Sequence, residues 1–199
     1  MKHFDTLGVM LDCSRNAVMT PEALKKFITL IAKMGYNQVQ LYMEDTYEVD
    51  GEPYFGYLRG RYSQSELKEL DDFCAGIGVE LVPCIQTLAH MNAAIRWPKY
   101  AEITDIRDIL LVGDERTYEL IDHLFKSLRK CFRTDKIHIG MDEAALLGRG
   151  KYLDLHGKQD TSEILLGHLG RVCEISDRYG FKPMMWRRCG RTYRSTSSA

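Results

Sequence analysis

The fold of this chain is decided by the stretch Lys136-Ile137-His138-Ile139-Gly140-Met141-Asp142-Glu143. It begins as a short β-branched run after a charged segment, which is typical of a buried strand. Side chains alternate between the faces of a strand, so Ile137 and Ile139 share one face and His138 lies on the other. Asp142 and Glu143 follow at or just past the carboxyl end of the strand. In α/β folds this end of the sheet carries the catalytic residues.

Four other apolar runs have the same form, and helical patterns separate the runs. These strand candidates are residues 8–12, 39–43, 79–85 and 183–186. Apolar residues at helical spacing predict helices that begin near residues 21, 64, 118 and 161. Glycine joins a helix end to the next strand at Gly35, Gly78 and Gly180. A glycine between a helix and the next strand is typical of the αβ junction in a repeating βα unit.

The alternation of strands and helices predicts a parallel sheet covered by helices. This sheet is either an open doubly wound sheet or a closed barrel. No glycine-rich phosphate loop follows the first strand, which weakens the dinucleotide-binding version of the open sheet. Polar residues that could belong to a functional site follow every predicted strand, which favours the barrel.

Only five strands are found where a (β/α)8 barrel has eight strands in about 250 residues. We therefore predict a partial TIM barrel of about the first five βα units, occupying residues 1–186 and cut short after the fifth strand. Residues 187–199 are basic and rich in Ser and Thr. They are predicted to form a polar tail that does not pack.

Composition excludes several classes of function. The chain has 199 residues and a formal net charge of −1, which gives no basis for binding nucleic acid or an anionic membrane. No apolar run approaches the roughly 20 residues that span a bilayer, and the first residues lack the apolar core of a signal peptide. The six cysteines form no Cys-x-x-Cys pair. We expect reduced core cysteines in a cytoplasmic protein, with neither a disulfide frame nor a zinc site.

The ends of the five predicted strands carry a cation, carboxylates, a histidine and an aromatic ring. In chain order these residues are Asp12, Arg15, Glu44, Asp45, His90, Asp142, Glu143 and Trp186. Such a set suits a sugar pocket, because sugars offer hydroxyls to polar groups and a C–H face to an indole ring. Asp12 and Glu44 also fit purely structural roles as ion-pair partners of basic residues, and we leave both outside the predicted site.

The two adjacent acids set a geometric condition. Neighbours on a regular strand face opposite ways, so Asp142 and Glu143 reach one pocket only if the backbone turns after the strand. Gly140 permits such a turn.

Taken together, these residues resemble the catalytic domain of glycoside hydrolase family 20, the β-N-acetylhexosaminidases. The signature is His138-x-Gly140-x-Asp142-Glu143. Arg15 after the first strand and His90 after the third also match. Residues 41–47 and 55–62 resemble the hexosaminidase D-like branch of that family. The resemblance covers most of the chain.

The resemblance implies hydrolysis of terminal non-reducing N-acetyl-D-hexosamine residues by a retaining, substrate-assisted mechanism. The acetamido oxygen of the substrate would attack the anomeric carbon. Glu143 would protonate the leaving oxygen and later deprotonate water. Asp142 would hold the acetamido N–H and stabilise its developing charge. No metal and no cofactor are implied.

The resemblance also assigns five substrate-binding residues: Arg15, Asp45, His90, His138 and Trp186. The arginine would bind the outer hydroxyls of the sugar, the histidines and Asp45 would support the acid pair, and Trp186 would wall the acetamido pocket. The implied partners are glycans that contain N-acetylglucosamine or N-acetylgalactosamine.

Two alternatives stay open from the sequence. The first is a catalytically inactive half-barrel that binds sugar or a complementary segment, with open sheet edges that favour self-association. The second is a metal-dependent α/β-barrel enzyme with Asp45, His90, Asp142 and Glu143 as ligands.

Overall fold

The computed structural model describes residues 4–15 and 18–186. The elements in chain order are β1 (Gly8–Asp12), α1 (Pro21–Lys33), β2 (Gln38–Tyr42), α2 (Gln64–Gly76), β3 (Glu80–Cys84), α3 (Asn92–Ile95), a 3₁₀ helix (Pro98–Ile103), β4 (Thr104–Ile106), β5 (Ile109–Leu110), α4 (Glu115–Cys131), β6 (Lys136–His138), α5 (Lys151–His156), α6 (Thr161–Arg178) and β7 (Lys182–Met184).

Five strands form one parallel sheet in the order β1-β2-β3-β6-β7, and β4 and β5 form a separate two-stranded sheet. The spatial order of the large sheet follows the chain order. A barrel sheet winds in one direction in this way, whereas a doubly wound sheet reverses at a switch point. The predicted partial barrel is confirmed. Residues 187–199, predicted as a polar tail, lie outside the described residues, so the fifth βα unit is described by its strand alone.

The two faces of the sheet separate the hydrophobic core from the pocket. Ile137 and Ile139 are 0% and 1% exposed and belong to the core. Tyr42, Cys84 and His138 stand in one row across the sheet on the opposite face. The alternation predicted for the β6 stretch is therefore observed, and it aims His138 toward the side on which a barrel encloses its interior.

Local capping explains where the first two helices begin. The hydroxyl of Thr20 accepts a hydrogen bond from the Ala23 N–H at 3.3 Å, and Pro21 occupies the first turn. Ser63 and Glu66 form a reciprocal capping box at the start of α2. These contacts satisfy N–H groups that have no partner within the helix, which is why the sequence marks these two helix starts well.

One prediction about the chain after β6 is wrong. The polar sequence of residues 146–160 predicts a solvated loop, but these residues contain α5. The carboxylate of Asp105, on β4, accepts hydrogen bonds from the Tyr152 N–H at 2.7 Å and the Gly148 N–H at 3.2 Å. Because a distant acid satisfies the free N–H groups at this helix start, no local capping pattern indicates it.

The described cysteines are all free thiols: Cys13, Cys74, Cys84, Cys131 and Cys173. Burial raises the pKa of the Cys13 thiol to about 11. Cys189 lies outside the described residues, and the cytoplasmic location stays a prediction. None of the described helices combines the length and the apolar character needed to cross a membrane.

His168 ties α6 to the loop after β3. Its Nε2 lies 2.8 Å from the carbonyl oxygen of Thr87, which only accepts hydrogen bonds, so Nε2 carries the ring proton. Nδ1 then accepts a hydrogen bond from the Tyr118 hydroxyl at 3.3 Å. Burial lowers the pKa of His168 to about 4, and the charge of Arg171 acts in the same direction, against the hydrogen bond to Thr87.

A matched pair of substitutions in α1 tests which face of this helix is buried. Leu24 is 1% exposed and Leu30 is 58% exposed. Leu24→Ala removes buried contacts and should lower the free energy of unfolding by about 2–5 kcal/mol. Leu30→Ala makes the same chemical change on the solvent face and should alter it by about 0.5 kcal/mol or less. Urea unfolding measures both values, and equal losses would show that the helix is packed differently.

We expect His168 to make the fold less stable in mild acid. The pKa of His168 is about 4 in the fold, whereas an unfolded histidine titrates near pH 6.5. Between these values the unfolded chain holds a proton that the folded chain does not. The free energy of unfolding should therefore fall as the pH decreases through this window, by about 1.4 kcal/mol per pH unit at most from this residue, and it should not respond to this residue above about pH 7.

Urea unfolding at several pH values between 7 and 4 tests this expectation. His168→Gln should reduce the slope of stability against pH by the contribution of one proton, whatever its effect on stability at pH 7. His156→Gln makes the same change at an exposed histidine and serves as the control. An unaltered slope in the His168→Gln variant would contradict the assignment.

Candidate active site

The loops after β3 and β6 meet at the carboxyl end of the sheet. Nε2 of His90 lies 3.2 Å from Oδ2 of Asp142 and 3.6 Å from Oε2 of Glu143. Both acids of the sequence signature therefore lie beside one imidazole ring. The structure brings together three of the residues that the sequence predicted for the site.

The backbone turns immediately after β6, as the adjacent acids require. Gly140, Met141 and Glu143 have φ angles of 70°, 68° and 55°, in the left-handed region that few residues other than glycine adopt. A Cβ atom on Gly140 would lie 2.0 Å from Oε1 of Gln86, so only glycine fits this approach. The turn breaks the strict alternation of a strand, and both carboxylates reach the same side.

Positive φ values also occur in the loops that follow β2 and β3, at Glu44 (46°) and His90 (57°). Backbone conformations of this kind are costly, and they cluster at functional sites. Here they lie in the βα loops, where the tertiary structure holds them in place.

The two acids differ in their surroundings. The side chain of Asp142 is 28% exposed, and its Oδ1 accepts a hydrogen bond from Nε2 of Gln86 at 2.9 Å. The side chain of Glu143 is 77% exposed. One carboxylate is therefore held by the protein, and the other is free to contact solvent or a ligand.

Gln86 and Tyr42 belong to the site but were missed by the sequence prediction. Gln86 also donates a hydrogen bond to the Tyr42 hydroxyl at 2.9 Å, and Tyr42 in turn donates to Oε1 of Glu44 at 3.0 Å. Glu44, which we had left outside the predicted site, thus belongs to the same hydrogen-bonded chain as Asp142. Burial raises the pKa of the Glu44 carboxyl. The signal in the sequence was the position of Gln86, a polar residue directly after a buried strand.

Arg15 lies at the same end of the sheet. Its Nη1 is 2.6 Å from Oδ2 of Asp12, and its guanidinium group lies 5.7 Å from the centre of the Tyr42 ring. The hydrogen bond that Arg15 donates to Asp12 raises the pKa of Arg15. Asp12 also accepts hydrogen bonds from the backbone N–H and the hydroxyl of Ser14, so it anchors this loop. The side chain of Arg15 is 69% exposed, which leaves its remaining donors accessible.

Asp45 is buried behind the site. Its side chain is 1% exposed, and Nε of Arg59 lies 3.3 Å from its Oδ1. Burial raises the pKa of the Asp45 carboxyl, and the positive charge of Arg59 opposes this effect. The predicted substrate-binding role of Asp45 stays a prediction, and the burial of this carboxylate favours an influence on a ligand that acts through Arg59.

The rings of His138 and Trp186 pack against each other near the acids. Nδ1 of His138 accepts a hydrogen bond from the Gly140 N–H at 3.1 Å, so a neutral ring carries its proton on Nε2. Burial lowers the pKa of His138, which favours this neutral form. The rings of His138 and Trp186 lie 4.4 Å apart between centroids, and Trp186 is 39% exposed.

A cavity of about 860 Å³ opens beside the acid pair. Its lining includes Met141, Asp142, Glu143, Leu165, Met185 and Trp186. Its volume is within the range of small-molecule sites, and an apolar wall with a few polar groups is typical of them. Two carboxylates and an indole ring therefore face one space large enough for a sugar.

Of the four residues of the metal-dependent alternative, His90, Asp142 and Glu143 lie together, and Asp45 does not join them in a set of metal ligands. Within residues 4–15 and 18–186, no group of three or more His, Cys, Asp or Glu side chains is arranged to hold a metal ion. Asp45, one of the four proposed ligands, faces the cation of Arg59 instead.

Solved structures with a similar fold include β-N-acetylhexosaminidases. A crystal structure of a β-N-acetylhexosaminidase superposes with a TM-score of 0.80 at 19% sequence identity, covering 93% of this chain and 47% of that chain. The family 20 exo-β-N-acetylglucosaminidase from Vibrio harveyi, solved in complex with N-acetylglucosamine, superposes with a TM-score of 0.81 at 20% identity, covering 93% of this chain and 36% of that chain. At these identities the likeness establishes the barrel fold.

Curated relatives are similar over most of this chain. Hexosaminidase D from Homo sapiens is 22% identical over 172 residues, which cover 82% of this chain and 35% of that protein. Hexosaminidase D from Bos taurus is 24% identical over 177 residues, which cover 82% of this chain and 50% of that protein. The chain thus spans between about a third and a half of the length of these two relatives.

The family model described as "Glycosyl hydrolase family 20, catalytic domain" matches residues 4–193. The match extends past residue 186, where the sequence analysis placed the end of the domain. With nearly all of its length matched, the chain belongs to glycosyl hydrolase family 20.

Proposed function

We propose that this chain provides the acid pair and part of the sugar pocket for hydrolysis of terminal N-acetyl-D-hexosamine residues from β-N-acetylhexosaminides. One observation carries the proposal: Asp142 and Glu143 come from one turn, lie within 3.6 Å of the same His90 nitrogen and line the same cavity. This arrangement supports a reaction that uses both acids on one substrate.

The mechanism that fits adjacent acids is retaining and substrate-assisted. Retaining enzymes that use a carboxylate nucleophile place their two carboxyl groups about 5 Å apart, on either side of the sugar. Two acids on neighbouring residues of one turn instead approach from one side. This arrangement fits the mechanism that membership in family 20 implies, in which the substrate supplies the nucleophile. The acetamido oxygen attacks the anomeric carbon, and the bond to the leaving oxygen breaks as Glu143 protonates that oxygen. Glu143 then takes a proton from the water that opens the cyclic intermediate.

The surroundings of the two acids support this division of roles. Asp142 is held by Gln86 and lies beside His90, so its carboxylate is fixed in position to accept the acetamido N–H. Glu143 is largely exposed, so it can reach the leaving group and exchange protons with water. The mechanism requires neither a metal ion nor a cofactor.

The remaining predicted residues have supporting roles in the proposal. Arg15, accessible and charged, binds the outer hydroxyls of the sugar. Trp186 provides an apolar wall for the acetamido group, and the ring of His138 packs behind it. Asp45 acts at a distance by holding Arg59. The substrates are glycans with terminal N-acetylglucosamine or N-acetylgalactosamine.

A non-catalytic role is the second candidate. In the described part of the chain, β1 and β7 are the edges of the five-stranded sheet. Unpaired edge strands offer backbone donors and acceptors to another chain. Self-association through these edges stays a prediction, and sedimentation of the purified chain at several concentrations measures it.

Isosteric amide substitutions test the catalytic roles. Glu143→Gln should lower kcat/KM for a chromogenic N-acetyl-β-glucosaminide about 10²- to 10⁴-fold, because the amide cannot transfer the proton. Asp142→Asn should lower it about 10²- to 10³-fold, because the developing positive charge loses its partner. Glu174→Gln is the matched control, since the side chain of Glu174 is 76% exposed, close to the 77% of Glu143.

Three outcomes are distinguishable. Loss of turnover in both site variants and not in the control supports the proposal. Equal turnover in all four proteins would rule out the acid pair as the catalytic group. Binding of N-acetylglucosamine without turnover in the wild type would favour the non-catalytic candidate.

A chelator separates the proposal from the metal-dependent alternative. Because no step uses a metal ion, treatment with EDTA followed by desalting should leave hydrolysis of the same substrate unchanged. Loss of activity that returns on addition of a divalent metal ion would favour the metal-dependent enzyme.

A further inference from the structure

Gln86 lies at the centre of the site without facing the cavity. It follows β3 directly, and the residue is 0% exposed. Its Nε2 donates hydrogen bonds to Oδ1 of Asp142 and to the Tyr42 hydroxyl, both at 2.9 Å. Its Oε1 accepts a hydrogen bond from the Met141 N–H at 3.2 Å. One buried amide group thus uses both of its N–H donors and its oxygen at the base of the pocket.

The chemistry of the partners fixes the orientation of this amide. An ionised carboxylate only accepts hydrogen bonds, so the amide nitrogen must face Asp142. A backbone N–H only donates, so the amide oxygen must face Met141. A carboxylate at this position could accept from Met141, but it could not donate to Asp142. Glutamine is therefore suited to bridge the acid and the backbone beside it.

The bridge holds a backbone segment that would not keep this shape alone. Met141 and Glu143 have φ angles of 68° and 55°, which disfavour any residue other than glycine. Gly140 packs so closely on Gln86 that a Cβ would meet its Oε1 at 2.0 Å. The turn that presents the two acids is thus built against one side chain.

We infer that Gln86 is a positioning residue for the acid pair. It fixes the carboxylate of Asp142 and the strained Met141–Glu143 backbone, and it does so without touching the substrate. The inference rests on the proposed function for its catalytic consequence. Its structural part, that Gln86 orders the turn, stands on the three hydrogen bonds alone.

The first measurement does not depend on activity. Backbone hydrogen exchange of the Met141 N–H, followed by NMR, should be about 10-fold faster or more in Gln86→Leu than in the wild type, because its acceptor is gone. Gln40→Leu is the matched control. Gln40 lies on β2 on the same face of the sheet, and its Nε2 donates to Gln38, away from the acid turn. Unchanged exchange of Met141 in Gln86→Leu would overturn the inference.

The second measurement asks whether Gln86 acts through Asp142. With a chromogenic N-acetyl-β-glucosaminide, Gln86→Leu should lower kcat about 10- to 100-fold, as expected for a lost hydrogen bond to a charged group. KM should change about threefold or less, because Gln86 does not touch the substrate. In the Asp142→Asn background the same substitution should have little further effect. An equal fold loss in both backgrounds would overturn the part of the inference by which Gln86 acts through the Asp142 carboxylate.

Gln86→Glu keeps the experiment decisive if the leucine variant does not fold. It preserves the size of the side chain and removes the donor to Asp142, so kcat should again fall with little change in KM. Full activity in a folded Gln86→Glu variant would overturn the inference. If the wild type shows no turnover, the proposed function fails, and the exchange of the Met141 N–H still decides whether Gln86 orders the turn.

Discussion

The close approach of Gly140 to Gln86 is the contact on which the site depends. The end of β6 passes so near the end of β3 that a Cβ on Gly140 would lie 2.0 Å from the Gln86 side chain and 2.8 Å from the carbonyl oxygen of Ile85. Glycine allows this approach and the left-handed turn that follows it. This turn places the two adjacent acids on the same side of the sheet, beside His90. A residue with a side chain at position 140 would separate the strands or displace the turn.

The same turn places the two carboxylates in different environments. Asp142 is anchored by a buried amide, whereas Glu143 is largely exposed to solvent. A hydrolase that relies on its substrate for the nucleophile has use for such a pair, since one carboxylate orients the acetamido group and the other transfers protons. Membership in glycosyl hydrolase family 20 and the volume and lining of the cavity agree with this use.

The sequence predicted the features that local chemistry encodes. Apolar periodicity located all five strands of the large sheet, and the capping residues Thr20 and Ser63 marked two helix starts. It also predicted that His90, Asp142 and Glu143 would meet. These successes share a cause, because strand ends of a parallel sheet converge whatever the details of the loops.

The misses share a cause as well, since each depends on a contact between residues far apart in the chain. At the start of α5 the Tyr152 N–H donates to the distant Asp105 carboxylate, so no neighbouring residue in the sequence indicates where this helix begins. Asp45 is buried with Arg59, a pairing that its position after a strand does not reveal. Gln86 is central to the hydrogen bonds of the site only because Tyr42 on β2 and Asp142 in the loop after β6 both accept from it.

The most direct test of the central claim is a crystal structure of the protein with N-acetylglucosamine bound. The account predicts one sugar in the cavity beside the turn, with the Asp142 carboxylate within about 3.2 Å of the acetamido nitrogen and Glu143 on the side of the anomeric oxygen. A sugar bound elsewhere, or the two carboxylates pointing to opposite sides of the sheet, would contradict it.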